Sequence, residues 1–329
     1  MNTPSSWPFS GNRWGMLDGR LGRMEGEIAL AAFGVSPEAL GSWVFDRLTN
    51  LVDPHLVKVG DVLWKRGEPL EFLYFMRQGR VQALRQGGSP WTFEGRWLLG
   101  AFEGHRNKHA SRTLVALEDF PALKIQRRGW LDLLEDSAEM ARRAVVNAAG
   151  TVARLEERSP ARATGLLPPL RWHHGDRPLT LVERVAFLMG LPIASGVGVQ
   201  ALANMASVSE EISVGAGQSL DQEKLVKDRL LFVVDGDVHG SRSYPDVERR
   251  YRPGDVIGDA AALCERGRDW TAKALTPARL LVIPQEAWLD VMEEHFEVAE
   301  AALSMLAVER ESILDELSRA AGPGGITLT

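Results

Sequence analysis

Apolar positions along the chain change period twice, and the same changes then recur in the same order. Between residues 26 and 52 they fall at helical spacing, with Ile28, Ala29, Ala32 and Phe33, then Leu40, Trp43, Val44, Leu48 and Leu51. Ser36-Pro37-Glu38 between the two groups reads as a helix start, a capping residue followed by proline at the first helical position. From Leu56 the period drops to two: Val57, Val59, Val62 and Leu63, then Phe72 to Met76, then Arg80 to Leu84, with turns at Arg66-Gly67-Glu68-Pro69 and Gln78-Gly79. Short strands separated by glycine turns every ~8–12 residues predict an antiparallel barrel or sandwich. A last strand is expected from Thr113 to Ile125, after which helical spacing runs through Trp130, Leu131, Leu134, Met140 and Val145 to Leu155.

Residues 158–178 read as a linker, from Arg158-Ser159-Pro160 through Leu167-Pro168-Pro169 to Arg177-Pro178. Paired prolines favour an extended, fairly stiff segment, which predicts that the two halves are held apart. Beyond it the order recurs: helical residues Val182 to Met205, strands from Ile212 to Ile283, and a long helix from Gln285 to Ala320.

The repeat holds position by position. At an offset of 157, Gly60 falls on Gly217, Leu63 on Leu220, Phe75 on Phe232, Gly79 on Gly236 and Val81 on Val238. One inserted residue makes the offset 158, and Gly100 then falls on Gly258, Thr113 on Thr271, Ala116 on Ala274 and Ile125 on Ile283. Gly129-Trp130-Leu131-Asp132-Leu133-Leu134-Glu135 matches Ala287-Trp288-Leu289-Asp290-Val291-Met292-Glu293. Glycines and a tryptophan kept in register over this length indicate a tandem duplication of one unit. The expected fold is α+β, two β jelly-roll barrels each flanked by N- and C-terminal helices. The expected organisation is an irregular arm at 1–25, a first domain at 26–157, the linker at 158–178, a second domain at 179–321 and a tail at 322–329.

Composition narrows the function classes. The 329 residues, 45% apolar and 25% charged, suffice for two soluble cores, and a formal charge of −6 gives no general attraction for nucleic acid or anionic membrane. No apolar run approaches the roughly 18 residues of a membrane span, and the N-terminus lacks the apolar stretch of a secretory signal. One cysteine, Cys264, excludes an intrachain disulfide and fits a reducing compartment, so a cytoplasmic location is expected. Trp7 and Trp14 in the arm either anchor a partner or cover the chain's own surface.

The most chemical stretch is Pro253-Gly254-Asp255-Val256-Ile257-Gly258-Asp259-Ala260, continuing to Arg268-Asp269-Trp270-Thr271. A glycine turn, a short helical start and an arginine-led strand can cradle an anion with backbone N–H groups and a guanidinium. Together with Val59-Gly60-Asp61-Val62-Leu63, Gly67-Glu68-Pro69, Leu73-Tyr74-Phe75 and Gly79-Arg80-Val81 in the first half, this stretch resembles the cyclic-nucleotide-binding domain family, that of the catabolite activator protein and the protein kinase A regulatory subunits. The resemblance implies a jelly roll whose phosphate-binding cassette carries a glycine, an acid that accepts from the ribose hydroxyl, and an arginine about nine residues later that pairs the cyclic phosphate.

Carried over on that resemblance, the second half has Gly258, Asp259 where the family has glutamate, Ala260, Arg268, Asp269 and Thr271 as its ligand-binding set. Aspartate is one methylene shorter, and Trp270 stands where the family keeps a small alanine, so it is a candidate for blocking the pocket. The first half departs further. Gly100 is followed by Ala101 instead of an acid, Ala110 replaces the arginine, and Arg112 takes the small-residue position, reaching inward as a substitute, plugging the barrel, or lying on the surface.

Other chemistry is sparse. His173-His174 beside Asp176 lies in the linker with no further cluster to make a metal site. Adjacent Glu210 and Glu211 face opposite ways in an extended segment, and no P-loop, nucleophile elbow, zincin or kinase motif is present, so no catalytic residues or cofactors are expected beyond a cyclic nucleotide as possible ligand. Arg127-Arg128, Arg142-Arg143 and Arg249-Arg250 read as solvated faces, not a nucleic-acid surface. Leu303, Leu306, Ile313 and Leu317 on the last helix form a stripe, interrupted by Arg310, that either makes a homodimer or packs within the chain. No helix-turn-helix is expected after it. The leading expectation is a non-enzymatic regulatory or scaffolding protein with degenerate domains acting through a protein partner; the alternative is a cyclic AMP or cyclic GMP sensor using the second domain.

Overall fold

The computed structural model describes residues 42–106, 109–158, 177–220, 229–243, 246–257, 260, 263, 264 and 270–329. The expected arm, the helix start at Ser36 and the linker residues 159–176, His173 and His174 included, lie outside the described residues. The first repeat opens with α1 (Ser42–Leu51), whose buried Val44 and Leu48 sit four apart on one face. Eight strands follow: β1 (Val52–Val57), β2 (Val62–Trp64), β3 (Phe72–Met76), β4 (Arg80–Leu84), β5 (Trp91–Glu94), β6 (Trp97–Leu99), β7 (Thr113–Ala116) and β8 (Phe120–Gln126). Helix α2 (Ala101–Arg106) lies between β6 and β7, and α3 (Arg127–Glu135) and α4 (Ala138–Glu156) close the repeat. The strands form two antiparallel sheets ordered β1-β8-β3-β6 and β5-β4-β7-β2, the paired Greek keys of a jelly roll.

The second repeat copies the plan. After α5 (Leu181–Met189), a 3₁₀ turn at Pro192–Ala194 and α6 (Val199–Val208) come β9 (Glu210–Val214), β10 (Arg229–Asp235), β11 (Val238–Ser243), β12 (Asp246–Tyr251), β13 (Val256–Ile257), β14 (Trp270–Ala274) and β15 (Ala278–Pro284). Their sheets are β13-β10-β15-β9 and β12-β11-β14, the order of the first repeat except that β2 has as its counterpart, among the described residues, only a single bridge between Ser219 and Lys273. Helices α7 (Gln285–Glu294) and α8 (Phe296–Ala320) correspond to α3 and α4. The matched turn glycines have a physical reason: Gly79 and Gly236 hold φ of +115° and +83°. A Cβ there would sit 2.5 Å from the Phe120 ring or 2.3 Å from the Pro277 carbonyl oxygen, so no other residue fits either turn.

Several expectations are corrected. Each repeat is a jelly roll of two facing sheets, with no closed barrel among the described residues because no ladder joins the two sheets there. The single strand expected from Thr113 to Ile125 is two, broken by the exposed pair Glu118 and Asp119, the latter fastened to the Val59 amide and the Lys58 ammonium at 2.8 Å each. The helix expected to run unbroken to Leu155 stops at Asp136 and restarts at Ser137, whose hydroxyl accepts from the Met140 amide at 3.4 Å. The long last helix is likewise broken at His295.

The two repeats are not held apart. Helix α8 packs against α2 and α4, and Leu303, Leu306, Ile313 and Leu314 are buried there in one apolar core shared with the first repeat. The stripe that might have made a homodimer is thus covered within the chain. The tail is also ordered: Ile326–Leu328 forms β16, parallel to β5, with Ile326 opposite Trp91 and Leu328 opposite Phe93. Linker composition predicts stiffness, not whether complementary faces wait on either side of it. A separate core, with Leu231, Val233, Val238, Leu280 and Val282, fills the second sandwich.

Ion pairs stitch the repeats together. Arg142 reaches Glu286 at 3.0 Å and Glu293 at 3.3 Å, and Arg310 reaches Glu103 at 3.3 Å. Arg249 meets Glu156 at 2.5 Å with both side chains buried, so this residue is not on the solvated face expected of it. Glu210 is exposed while Glu211 turns inward to Arg279 and to the Leu179 amide at 2.6 Å, the opposite facing that strand geometry demands.

Candidate functional site

In the first repeat the cassette region runs from β6 through α2 to β7. Gly100 ends β6 at φ +90°, and Ala101, which stands where an acid is required, opens α2 with a methyl group only. Ala110 is buried, its N–H donating to the Glu68 carbonyl at 2.9 Å and its own carbonyl accepting from the Gly67 N–H at 2.8 Å. No described side chain at these three positions offers an acceptor for a sugar or a cation for a phosphate.

Arg112 is where the first repeat keeps its charge. It is 3% exposed, so it is not a surface residue. Its guanidinium lies 3.6 Å over the Trp91 ring, donates to the Ser89 carbonyl at 3.0 Å, and pairs with the Asp315 carboxylate of α8. Arg85 reaches the same carboxylate at 2.7 Å and Glu311 at 3.6 Å. Burial pulls the Arg112 pKa down and Asp315 pushes it back up, so charge neutralisation by the second repeat is what keeps this arginine in place. The residue read as a possible pocket block is therefore a clamp on the other repeat. One turn earlier on α8, Arg310 is buried 4.6 Å from the Phe102 ring and 5.4 Å from the Phe93 ring.

His105 on α2 sits against the same helix, its carbonyl accepting from the Ser304 hydroxyl at 2.9 Å. Burial, assisted by the Arg127 charge, lowers its pKa to about 4, which keeps the ring neutral at physiological pH. Sequence reading missed this contact, since nothing in the spacing ties α2 to a segment some 200 residues later.

In the second repeat, Gly258, Asp259, Arg268 and Asp269 lie outside the described residues, as does the side chain of Trp270. Ala260 is fully buried. The backbone of Trp270–Ala274 pairs with β11, and on that strand Ala272 and Ala274 are buried while Thr271 is exposed with its hydroxyl 2.9 Å from that of Ser241. Asp255, before β13, accepts from the Arg252 amide at 2.7 Å, and burial raises its pKa. Cys264 is half-buried, and a Cβ added to Gly150 of α4 would lie 3.7 Å from its Cβ, so Cys264 faces the first repeat. No group of three metal-ligating side chains occurs among the described residues, and no described helix is long and apolar enough to cross a membrane.

Residues 211–295 match the family model of the cyclic nucleotide-binding domain, so the second repeat carries that family's sequence signature. A comparison with curated proteins returns no match. Among solved structures, the chain is similar to the cAMP-bound regulatory domain of Toxoplasma gondii protein kinase A, at 12% identity over 90% of this chain and 99% of that one, TM-score 0.34. It is also similar to the regulatory subunit of a cAMP-independent protein kinase A from Trypanosoma brucei, at 13% identity over 84% and 87%, TM-score 0.34. The N-terminal domain of a Streptomyces coelicolor A3(2) transcriptional regulator matches 43% of this chain and 97% of its own at 23% identity, TM-score 0.32. At TM-scores this low, none of these likenesses bears on ligand or partner.

Proposed function

We propose that the chain is a non-enzymatic regulatory protein built on two cyclic-nucleotide-binding-type repeats, in which the first has exchanged ligand binding for holding the second and the pair acts through a protein partner in the cytoplasm. The observation that carries this reading is the clamp at Asp315: buried Arg112 of the first cassette is neutralised by the helix that follows the second sandwich. With Ala101 and Ala110 at the acid and arginine positions, those two positions of the first repeat offer no charge to a ribose or a cyclic phosphate. What remains is a rigid two-repeat body whose outer surfaces are available for association.

A second reading is favoured by one specific observation, the family match confined to 211–295. In it Gly258, Asp259, Ala260, Arg268, Asp269 and Thr271 bind a cyclic nucleotide, and α7 and α8 transmit the event to the first repeat through Asp315. Calorimetric titration of the whole chain with cyclic AMP, cyclic GMP and cyclic dinucleotides separates the two. The first reading predicts no heat in the wild type, with Trp270→Ala uncovering weak binding if the indole fills the pocket. Micromolar binding that Arg268→Ala abolishes would establish the sensor instead.

A further inference from the structure

One hollow of the fold lies outside both sandwiches. A cleft of about 710 Å³ opens between the repeats, walled by β6 and α2, by α4, and by Cys264 and α8 of the second repeat. That volume is in the range of ordinary small-molecule sites. Its apolar wall carries Trp97, Phe102 and Leu303 over buried Phe75 and Trp130. Its polar wall carries Arg96, Arg154 and Arg158, with Arg310 behind them already paired to Glu103.

The charge balance of this cleft is the telling feature. The chain has 44 acidic against 38 basic residues, yet among the described residues no aspartate or glutamate lines the cleft, whose one acidic group there is the carboxylate of the last residue, Thr329. Among the described residues Arg96, Arg154 and Arg158 have no carboxylate in ion-pair range; Arg154 donates to the Thr151 hydroxyl at 3.2 Å, and Arg96 lies 5.9 Å from the Phe75 ring. His105, held neutral, adds no charge of its own. Three guanidinium groups against the single carboxylate of Thr329, among the described residues around an apolar wall, set a preference for anions and repel cations. Inorganic phosphate would satisfy the arginines and leave the aromatic wall wet; a neutral hydrocarbon would do the reverse.

We propose that the cleft between the repeats binds an amphiphilic organic anion, an apolar or aromatic body bearing one acidic group, with the acid on Arg96, Arg154 and Arg158 and the body against Trp97, Phe102 and Leu303. The site lies between the repeats, with β6 and α2 of the first cassette and Cys264 of the second in its walls, and occupancy there bridges both repeats. The probe is 8-anilinonaphthalene-1-sulfonate added to the full chain and read by its fluorescence, with sodium oleate and inorganic phosphate as competitors. One saturable site of micromolar affinity is expected, displaced by oleate and not by millimolar phosphate or cyclic AMP.

The double variant Arg154→Gln/Arg158→Gln, whose side chains are exposed and whose folding is checked by circular dichroism, should weaken the dye at least tenfold. Thr151→Trp, which fills the cleft without removing charge, should abolish its binding. An affinity unchanged in both variants, a non-saturating response, or displacement by cyclic AMP would overturn the proposal.

Discussion

Removing the Asp315 carboxylate leaves the Arg112 guanidinium buried over Trp91 with the Ser89 carbonyl as its remaining polar contact, and its Nε already has none in the fold. Stripping one partner from a buried pair costs about 3–5 kcal/mol, far more than the pair contributes over an apolar replacement. Asp315→Ala should therefore lower unfolding stability by about 3 kcal/mol, and adding Arg112→Met should restore most of it, as chemical denaturation of the single and double variants would show. An unchanged midpoint in Asp315→Ala would mean that water already reaches the pair. At His105 the folded pKa of about 4 lies below the ordinary 6.5. The unfolded chain then binds the extra proton between those values, so the stabilisation is complete above pH 6.5 and is lost as pH falls toward 4. The loss is at most about 3 kcal/mol, and His105→Gln should flatten that part of the pH–stability curve. Neither effect was legible in the sequence. Arg112 stood out by its position in the duplicated cassette, but its partner is 203 residues away and nothing local marks Asp315 as different from its neighbours.

Elements were far more legible than their ends. Glycines at φ near +80° to +115° fix the turns, and because Gly60 with Gly217 and Gly79 with Gly236 serve the same turns in both copies, the offset of the duplication could be read before any coordinates. The breaks at Ser137 and His295 were missed because apolar spacing continues through them; the cap at Ser137 is a one-residue signal inside a helical run. The tail was missed for another reason. Gly322-Pro323-Gly324-Gly325 reads as an unstructured end, yet these residues turn the chain so that Ile326–Leu328 can pair with β5. Gly325 is at φ +71°, and a Cβ there would come within 1.9 Å of the Pro90 carbonyl oxygen. Gly325→Ala should therefore detach β16. Amide hydrogen exchange would then show lost protection at residues 326–328 and along the β5 edge, with the strands of the second sandwich unchanged.

At the scale of the whole molecule the apolar cores do not follow the duplication. One cluster runs from α1 through the first sandwich into α6, α7 and α8, while the second sandwich keeps a smaller core to itself. A core shared across repeats makes unfolding of the first repeat depend on a helix that belongs to the second. Leu306 and Ile313 are fully buried on α8, so replacing either with alanine should cost roughly 2–5 kcal/mol through the lost contacts and the cavity left behind. The distribution of that loss is the sharper test. If the repeats are one cooperative body, Leu306→Ala lowers exchange protection in β4, β5 and α4 as much as in α8, and leaves β10 and β15 protected longest. If protection falls only within α8, the repeats unfold separately. A ligand event in the second repeat would then have no packed route to the first, and the clamp at Asp315 would be a local fastening instead of a coupling.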